Sequence, residues 1–139
     1  MVKDVIITVK GFQPGTSEES IKVEALGSYH YRNGKHYIQY EEISEEENTR
    51  TRNTLKVSLN QVDMMKKGTE KASMTFCLKE QTRMTYQTPY GFLDFDINTH
   101  QIKIQEMEHE ILIELFYSLS SDNNWVSDNL IKIKVRANA

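Results

Sequence analysis

The chain has 139 residues, with 17 basic and 20 acidic side chains and a formal charge of −3 at neutral pH. A chain of that length builds one domain, residues 1–139, around one core, because it buries about two-thirds of the surface it exposes when unfolded. With 38% hydrophobic residues, 27% charged residues and a single cysteine, Cys77, the composition excludes collagen, coiled coils, disulfide-stapled secreted scaffolds and chains with a long apolar membrane span. Met1-Val2-Lys3-Asp4 opens directly into an alternating pattern without the basic start and apolar block of a secretion signal, so a reducing, cytoplasmic setting is expected.

Val, Ile and Thr together number 31, against 13 for Ala plus Leu, a balance suited to pleated strands rather than helices. In chain order, the first alternating run is expected to end in Gly11-Phe12-Gln13-Pro14-Gly15. Ile21-Lys22-Val23-Glu24-Ala25 opens the next, with apolar odd positions and charged even ones. It leads to Asn33-Gly34, where both residues tolerate the positive φ of a type I′ turn, the strongest short hairpin signal. The returning strand runs into the charged loop Glu45-Glu46-Glu47-Asn48. Leu55, Val57 and Leu59 alternate with Lys56 and Ser58, then Leu59-Asn60-Gln61-Val62 reads as a tight reversal and Lys67-Gly68-Thr69-Glu70 as another. Met74, Phe76 and Leu78 alternate with Thr75 and Cys77. Thr88-Pro89-Tyr90-Gly91 has Pro and Gly at the positions that favour a β-turn. Leu93, Phe95 and Ile97 alternate with Asp94 and Asp96, and Ile97-Asn98-Thr99-His100 is expected to turn. Ile111, Ile113, Leu115, Tyr117 and Leu119 share one face, Ser120-Ser121-Asp122-Asn123-Asn124 reverses the chain, and Ile131, Ile133 and Val135 alternate with Lys132, Lys134 and Arg136. A helix would scatter these apolar residues around its whole circumference. The expected fold is therefore all-β, nine or ten antiparallel strands in a single up-and-down barrel, because closure removes the edges of so long a sheet. A β-sandwich is the alternative.

Several stretches together resemble the YwiB-like family of small bacterial β-barrel proteins. They are Asp4-Val5-Ile6-Ile7, Gly27-Ser28-Tyr29-His30-Tyr31, Asn33 through Glu42, Thr54-Leu55-Lys56-Val57, Ser73-Met74-Thr75-Phe76, Tyr86-Gln87-Thr88-Pro89-Tyr90-Gly91 and Tyr117-Ser118-Leu119. The Thr-Pro-Tyr-Gly turn is the most specific of them. The resemblance spans essentially the whole chain and implies a lipocalin- or calycin-like barrel. It brings no catalytic residues, since the family has no established activity. The Gly-x-Trp start of secreted lipocalins is absent, as the only tryptophan is Trp125, so ligand binding follows from the fold by analogy alone.

Four histidines invite a test for metal binding. A two-residue turn at Asn33-Gly34 sets Tyr31 against His36 and His30 against Tyr37, so His30 and His36 point to opposite faces of the sheet and cannot share an ion. His100 and His109 are expected in or near turns, no zinc spacing occurs, and no cofactor is implied. Cys77 faces away from Met74 and Phe76 with no histidine nearby in sequence, and no nucleophile or phosphate-loop motif is present, so no catalytic constellation is legible. Asp94 and Asp96 alternate with apolar residues, as an outer face would. Lys132, Lys134 and Arg136 are expected to pair across strands with Glu108, Glu110 and Glu114, which, with a pI near 5.8, speaks against nucleic acid. Seven tyrosines are the distinctive feature, since each joins an apolar body to a polar tip. Tyr40 shares a strand face with Ile38, and Tyr86 leads into the turn taken as the barrel mouth. Tyr40, Tyr86, Thr88 and Tyr90 are the candidate ligand-binding residues. The expected function is non-catalytic binding of a small, partly apolar molecule, with neither nucleic acid nor membrane as partner. The alternative is a protein–protein interaction module that forms homodimers through a strand edge or an exposed aromatic patch.

Overall fold

In a computed structural model, residues 3–12, 19–44, 46, 48–68 and 71–138 are described. They form ten strands: β1 (Lys3–Phe12), β2 (Glu19–Arg32), β3 (Lys35–Ser44), β4 (Thr49–Val57), β5 (Gln61–Lys67), β6 (Lys71–Cys77), β7 (Gln81–Thr88), β8 (Gly91–Glu106), β9 (Glu110–Ser121) and β10 (Asn124–Ala137). Each pairs antiparallel with its sequence neighbours, and β1 pairs with β10 to close the barrel. Every strand thus has a hydrogen-bonded partner on both sides, which sets aside the β-sandwich.

The register follows from the turns. Asn33 and Gly34 have φ values of 53° and 75°, the type I′ signature, and this sets Tyr31 opposite His36 and His30 opposite Tyr37. Asp122 and Asn123, at 51° and 66°, do the same for β9–β10. One expected turn does not form. Ile97 to His100 stays inside β8, which accommodates the polar stretch as a bulge between Thr99 and Gln101. A bulge adds a residue without ending pairing, so β8 continues to Glu106 and the reversal falls at residues 107–109. His100 therefore lies on a strand, and only His109 in a turn. Leu59 was expected on the inward face; β4 ends at Val57, and Leu59 sits exposed in the β4–β5 turn. The expected turns at residues 13–18, 45, 47 and 69–70 fall wholly or partly outside the described residues.

The inward positions carry the core. Ile7, Ile38, Leu55, Val57, Val62, Phe76, Ile97, Ile113, Leu115 and Ile133 are fully buried, each contributing about 1.5–3 kcal/mol of burial. Outward positions alternate with them as Lys56, Glu114, Lys132, Lys134 and Arg136. That polarity, apolar inside and charged outside, is the reverse of a membrane-spanning barrel. Among the described residues no helix is long and apolar enough to cross a membrane. Gly27 serves a close approach. A Cβ there would meet Ile7 Cδ1 at 2.5 Å and the Gln39 backbone oxygen closer still, so β2 presses onto β3 only because residue 27 has no side chain.

The odd-numbered and even-numbered connections lie at opposite ends. The upper end carries the β1–β2, β3–β4, β5–β6, β7–β8 and β9–β10 connections; the lower end carries β2–β3, β4–β5, β6–β7 and β8–β9. The solid apolar core separates the two, and each end holds a distinct recess.

Candidate functional site

The recess in the upper half is a cavity of about 260 Å³, walled by Met64, Met74 and Met84 from β5, β6 and β7 and by Tyr40, Tyr86 and Tyr117 from β3, β7 and β9. Strand parity explains this convergence. Met64 faces Met74, and Met74 faces Met84, across successive ladders, so three flexible, polarisable side chains form one wall. Phe76 meets Tyr117 edge-on, with ring centroids 4.7 Å apart, and closes the floor. Towards the upper rim the cavity becomes polar. The Lys66 ammonium lies 3.5 Å from Glu42 Oε1, and Asn53, 3% exposed, donates to the same oxygen at 3.2 Å. Burial, reinforced by the Glu42 carboxylate, pushes the Tyr40 phenol well above its ordinary range. Burial alone raises Tyr117 to about 12. Both walls therefore present neutral hydroxyls at any ordinary pH.

Of the four residues singled out from the sequence, Tyr40 and Tyr86 meet at this cavity. Tyr90 does not: it is 99% exposed at the tip of the β7–β8 turn, where the Pro-Tyr-Gly sequence projects it away from the rim. Thr88 ends β7 opposite Gly91, and its side chain lies outside the described residues. The methionine wall and the Glu42–Lys66 pair were missed. The signal for Glu42 was present, because it continues the inward parity of Ile38 and Tyr40, whereas the methionine wall depends on the registers of β5, β6 and β7.

The lower recess has a different chemistry. Tyr29 from β2 approaches His36 Nδ1 at 2.7 Å, and His36 Nε2 lies 2.6 Å from Glu106 Oε1 at the end of β8. A carboxylate only accepts, so Nε2 carries a hydrogen; in the tautomer with its one hydrogen there, Nδ1 is the acceptor for the Tyr29 O–H. Burial, then Glu106, then Tyr31 raise the Tyr29 phenol above its usual value. The Tyr31 ring lies 5.1 Å from the imidazole. His36, only 6% exposed, is with Asn53 one of two fully enclosed polar residues among those described.

On the outer surface, His100 Nε2 lies 2.6 Å from Ser118 Oγ, and Ser118 donates to Asp128 Oδ1 at 2.6 Å. Here serine stands between the other two, its proton committed to the carboxylate, so this is not a nucleophile facing a base. The hydrogen bond from Ser118, then that from Trp125, holds Asp128 below the usual carboxylate range. The basic stripe is paired as expected: Lys132 stands opposite Glu114, and Lys134 contacts Glu110 at 3.1 Å. Glu108 instead sits in the β8–β9 turn beside His109, 3.8 Å away. Cys77 is a free, half-buried thiol whose pKa is raised by burial, Glu80 and Asp63. No group of three or more metal-ligating side chains forms among the described residues.

The fold and its recesses define a small closed ten-stranded barrel with a cavity of about 260 Å³ towards one end. The chain belongs to the DUF1934 family, described as a domain of unknown function, which it matches over residues 7–133. The crystal structure of the ywiB protein from Bacillus subtilis is similar to it, with a TM-score of 0.82 and 21% identity over 99% of this chain and 94% of that one. No curated protein matches it. The likeness to that structure shows the barrel fold.

Proposed function

We propose that the protein is a cytoplasmic binder of a small, mostly apolar molecule with one polar end, held without catalysis in the upper half of the barrel. The observation that carries this reading is the cavity of about 260 Å³ behind the Glu42–Lys66 pair. Interiors of small barrels are ordinarily filled by their own side chains. This one is filled in its middle and left open where three methionines and three tyrosines converge. The volume lies just below the lower limit of about 300 Å³ for ordinary ligand sites, so a single ring system or short acyl chain suits it better than a nucleotide. Tyrosine hydroxyls and the charged pair orient the ligand's polar end, and the methionines adapt to its shape.

The test uses methyl-¹³C methionine labelling and titration with indole as the probe. The methyls of Met64, Met74 and Met84 are expected to shift saturably. Met65 and Met107, which are exposed elsewhere, serve as controls and stay fixed. Uniform shifts at all five, or none, reject the cavity as the site. Native mass spectrometry of the protein purified gently from its own cells then identifies the physiological occupant from the excess mass.

A second reading rests on the exposed Phe92, Leu93 and Trp125 near the upper rim, a patch that suits self-association. Closure pairs every strand on both sides, yet residues 23–26 of β2 have no partner on the β3 side and residues 91–95 of β8 none on the β9 side, so a dimer would use this patch together with the edge of β8 beside it. Light scattering across a concentration series decides it: a constant monomer mass removes the homodimer.

A further inference from the structure

The lower recess carries an arrangement that binding at the other end does not use. We propose that Tyr29 is the nucleophile of an acyl-transfer site, with His36 as its general base and Glu106 as the residue that positions the imidazole. This is separate from the upper cavity and does not depend on it.

Three observations converge. The first is geometric. Activated nucleophiles are recognised by a hydrogen bond from nucleophile to base, with the base held by a third group. The two distances here are 2.7 Å and 2.6 Å, and the carboxylate fixes the tautomer that leaves Nδ1 free to take a proton from the Tyr29 hydroxyl. The second is energetic. Enclosing an imidazole costs desolvation that a leucine at position 36 would not incur, and Tyr29 and Glu106 offset that cost by engaging both ring nitrogens. The third is access. Tyr29, His36 and Glu106 line a cleft of about 300 Å³ at the barrel surface. Val5, Ile111 and Val135 form its apolar floor, and Glu106, Glu108 and Glu110 its rim. An apolar floor suits a short acyl group, and an acidic rim selects neutral or cationic donors over anionic ones. The substrate class is therefore a small uncharged or cationic carboxylic ester.

An electron pair of the Tyr29 oxygen forms a bond to the acyl carbon while the O–H proton passes to His36 Nδ1. The bond between the acyl carbon and the leaving oxygen then breaks, and the imidazolium returns the proton to the departing alcohol. Water, deprotonated by the same nitrogen, hydrolyses the tyrosyl ester, releases the carboxylic acid and restores the phenol. Because burial and Glu106 raise the phenol's pKa, no phenolate is present beforehand. The proton has to leave as the bond forms, which is the role of the base beside it.

The experiment treats the full chain with p-nitrophenyl acetate and follows nitrophenolate release together with peptide mass spectrometry. The acetyl group is expected on Tyr29, removable by hydroxylamine as an aryl ester is and a lysine amide is not. Its formation is expected at least tenfold faster than on Tyr31 or the exposed Tyr90 in the same sample. Tyr29→Phe abolishes the burst. Glu106→Gln alters an exposed carboxylate, so the fold is kept, checked by circular dichroism, while the rate falls about tenfold. Charged and titratable groups facing the imidazole are Tyr29, Tyr31 and Glu106, with Glu108, His109 and Glu110 around the cleft. Equal labelling of Tyr29 and Tyr31, or an unchanged Tyr29 rate in Glu106→Gln, overturns the proposal.

Discussion

Replacing Ala72 with leucine separates ligand binding from stability, because the two are expected to move in opposite directions. Ala72 is inward on β6, opposite Tyr86 on β7, and its methyl group borders the upper cavity. Leucine adds three carbons to that space. At about 0.8 kcal/mol per buried carbon they contribute about 2.4 kcal/mol. Freezing the new side chain removes roughly 0.5–1 kcal/mol of this. The net gain is about 1.5 kcal/mol, since the atoms enter existing space and no neighbour has to move. For a chain of this size that corresponds to a melting temperature about 6 °C higher. Urea denaturation followed by circular dichroism measures it as a later midpoint at unchanged slope. The same variant is expected to lose the indole-induced shifts at Met64, Met74 and Met84. A less stable Ala72→Leu protein would show that the site is already tightly filled. A stabilised variant that still binds indole would place binding elsewhere.

Other perturbations test other parts of the barrel. Gly27→Ala drives a Cβ into the Gln39 backbone oxygen and Ile7 Cδ1; the backbone oxygen cannot yield without disturbing the β2–β3 ladder, so a loss of about 3 kcal/mol is expected in urea titration, and an unchanged midpoint would contradict the close approach. Thr99→Val removes a buried hydroxyl that lacks a protein partner, which raises stability by about 1 kcal/mol; a comparable loss would show the hydroxyl to be hydrogen-bonded in solution. Alkaline pH is expected to unfold the barrel. The Tyr117 phenol is raised from 10.0 to about 12 by burial, so above pH 10 the unfolded chain releases a proton that the native one retains. The stabilisation is complete below pH 10 and is lost, roughly 2–3 kcal/mol of it, by pH 12. Tyrosinate absorbance at 295 nm that rises together with the loss of the β-sheet signal confirms this, and full ionisation while the barrel stays folded refutes it.

Most of the architecture was legible in residue order because strands announce themselves locally. Alternation of apolar and polar side chains has a period of two, and an Asn-Gly pair dictates both a turn and its register. From Asn33-Gly34 alone, Tyr31 is set against His36 and His30 against Tyr37, as the barrel has them. The error at residues 97–100 has the same local origin. Asn98, Thr99 and His100 have the composition of a turn, yet β9 offers a continuous ladder on that side, and backbone pairing across it makes a bulge cheaper than a reversal. Tyr90 was misjudged for a related reason, since a turn next to the barrel mouth does not say which way its central side chain points.

Amino-acid order by itself determined the strand class, the up-and-down order, the apolar inward face and the pairing of the basic stripe with Glu110 and Glu114, because each depends on neighbours along the chain or across one hairpin. Only the tertiary structure decided what meets inside. Closure of β1 on β10 and the stagger of ten strands bring Met64, Met74 and Met84 against Tyr40 and Tyr117, and carry Glu106 to His36 across 70 residues of sequence. Those distances are set by barrel circumference and tilt, quantities that the whole sheet fixes at once and no local pattern contains.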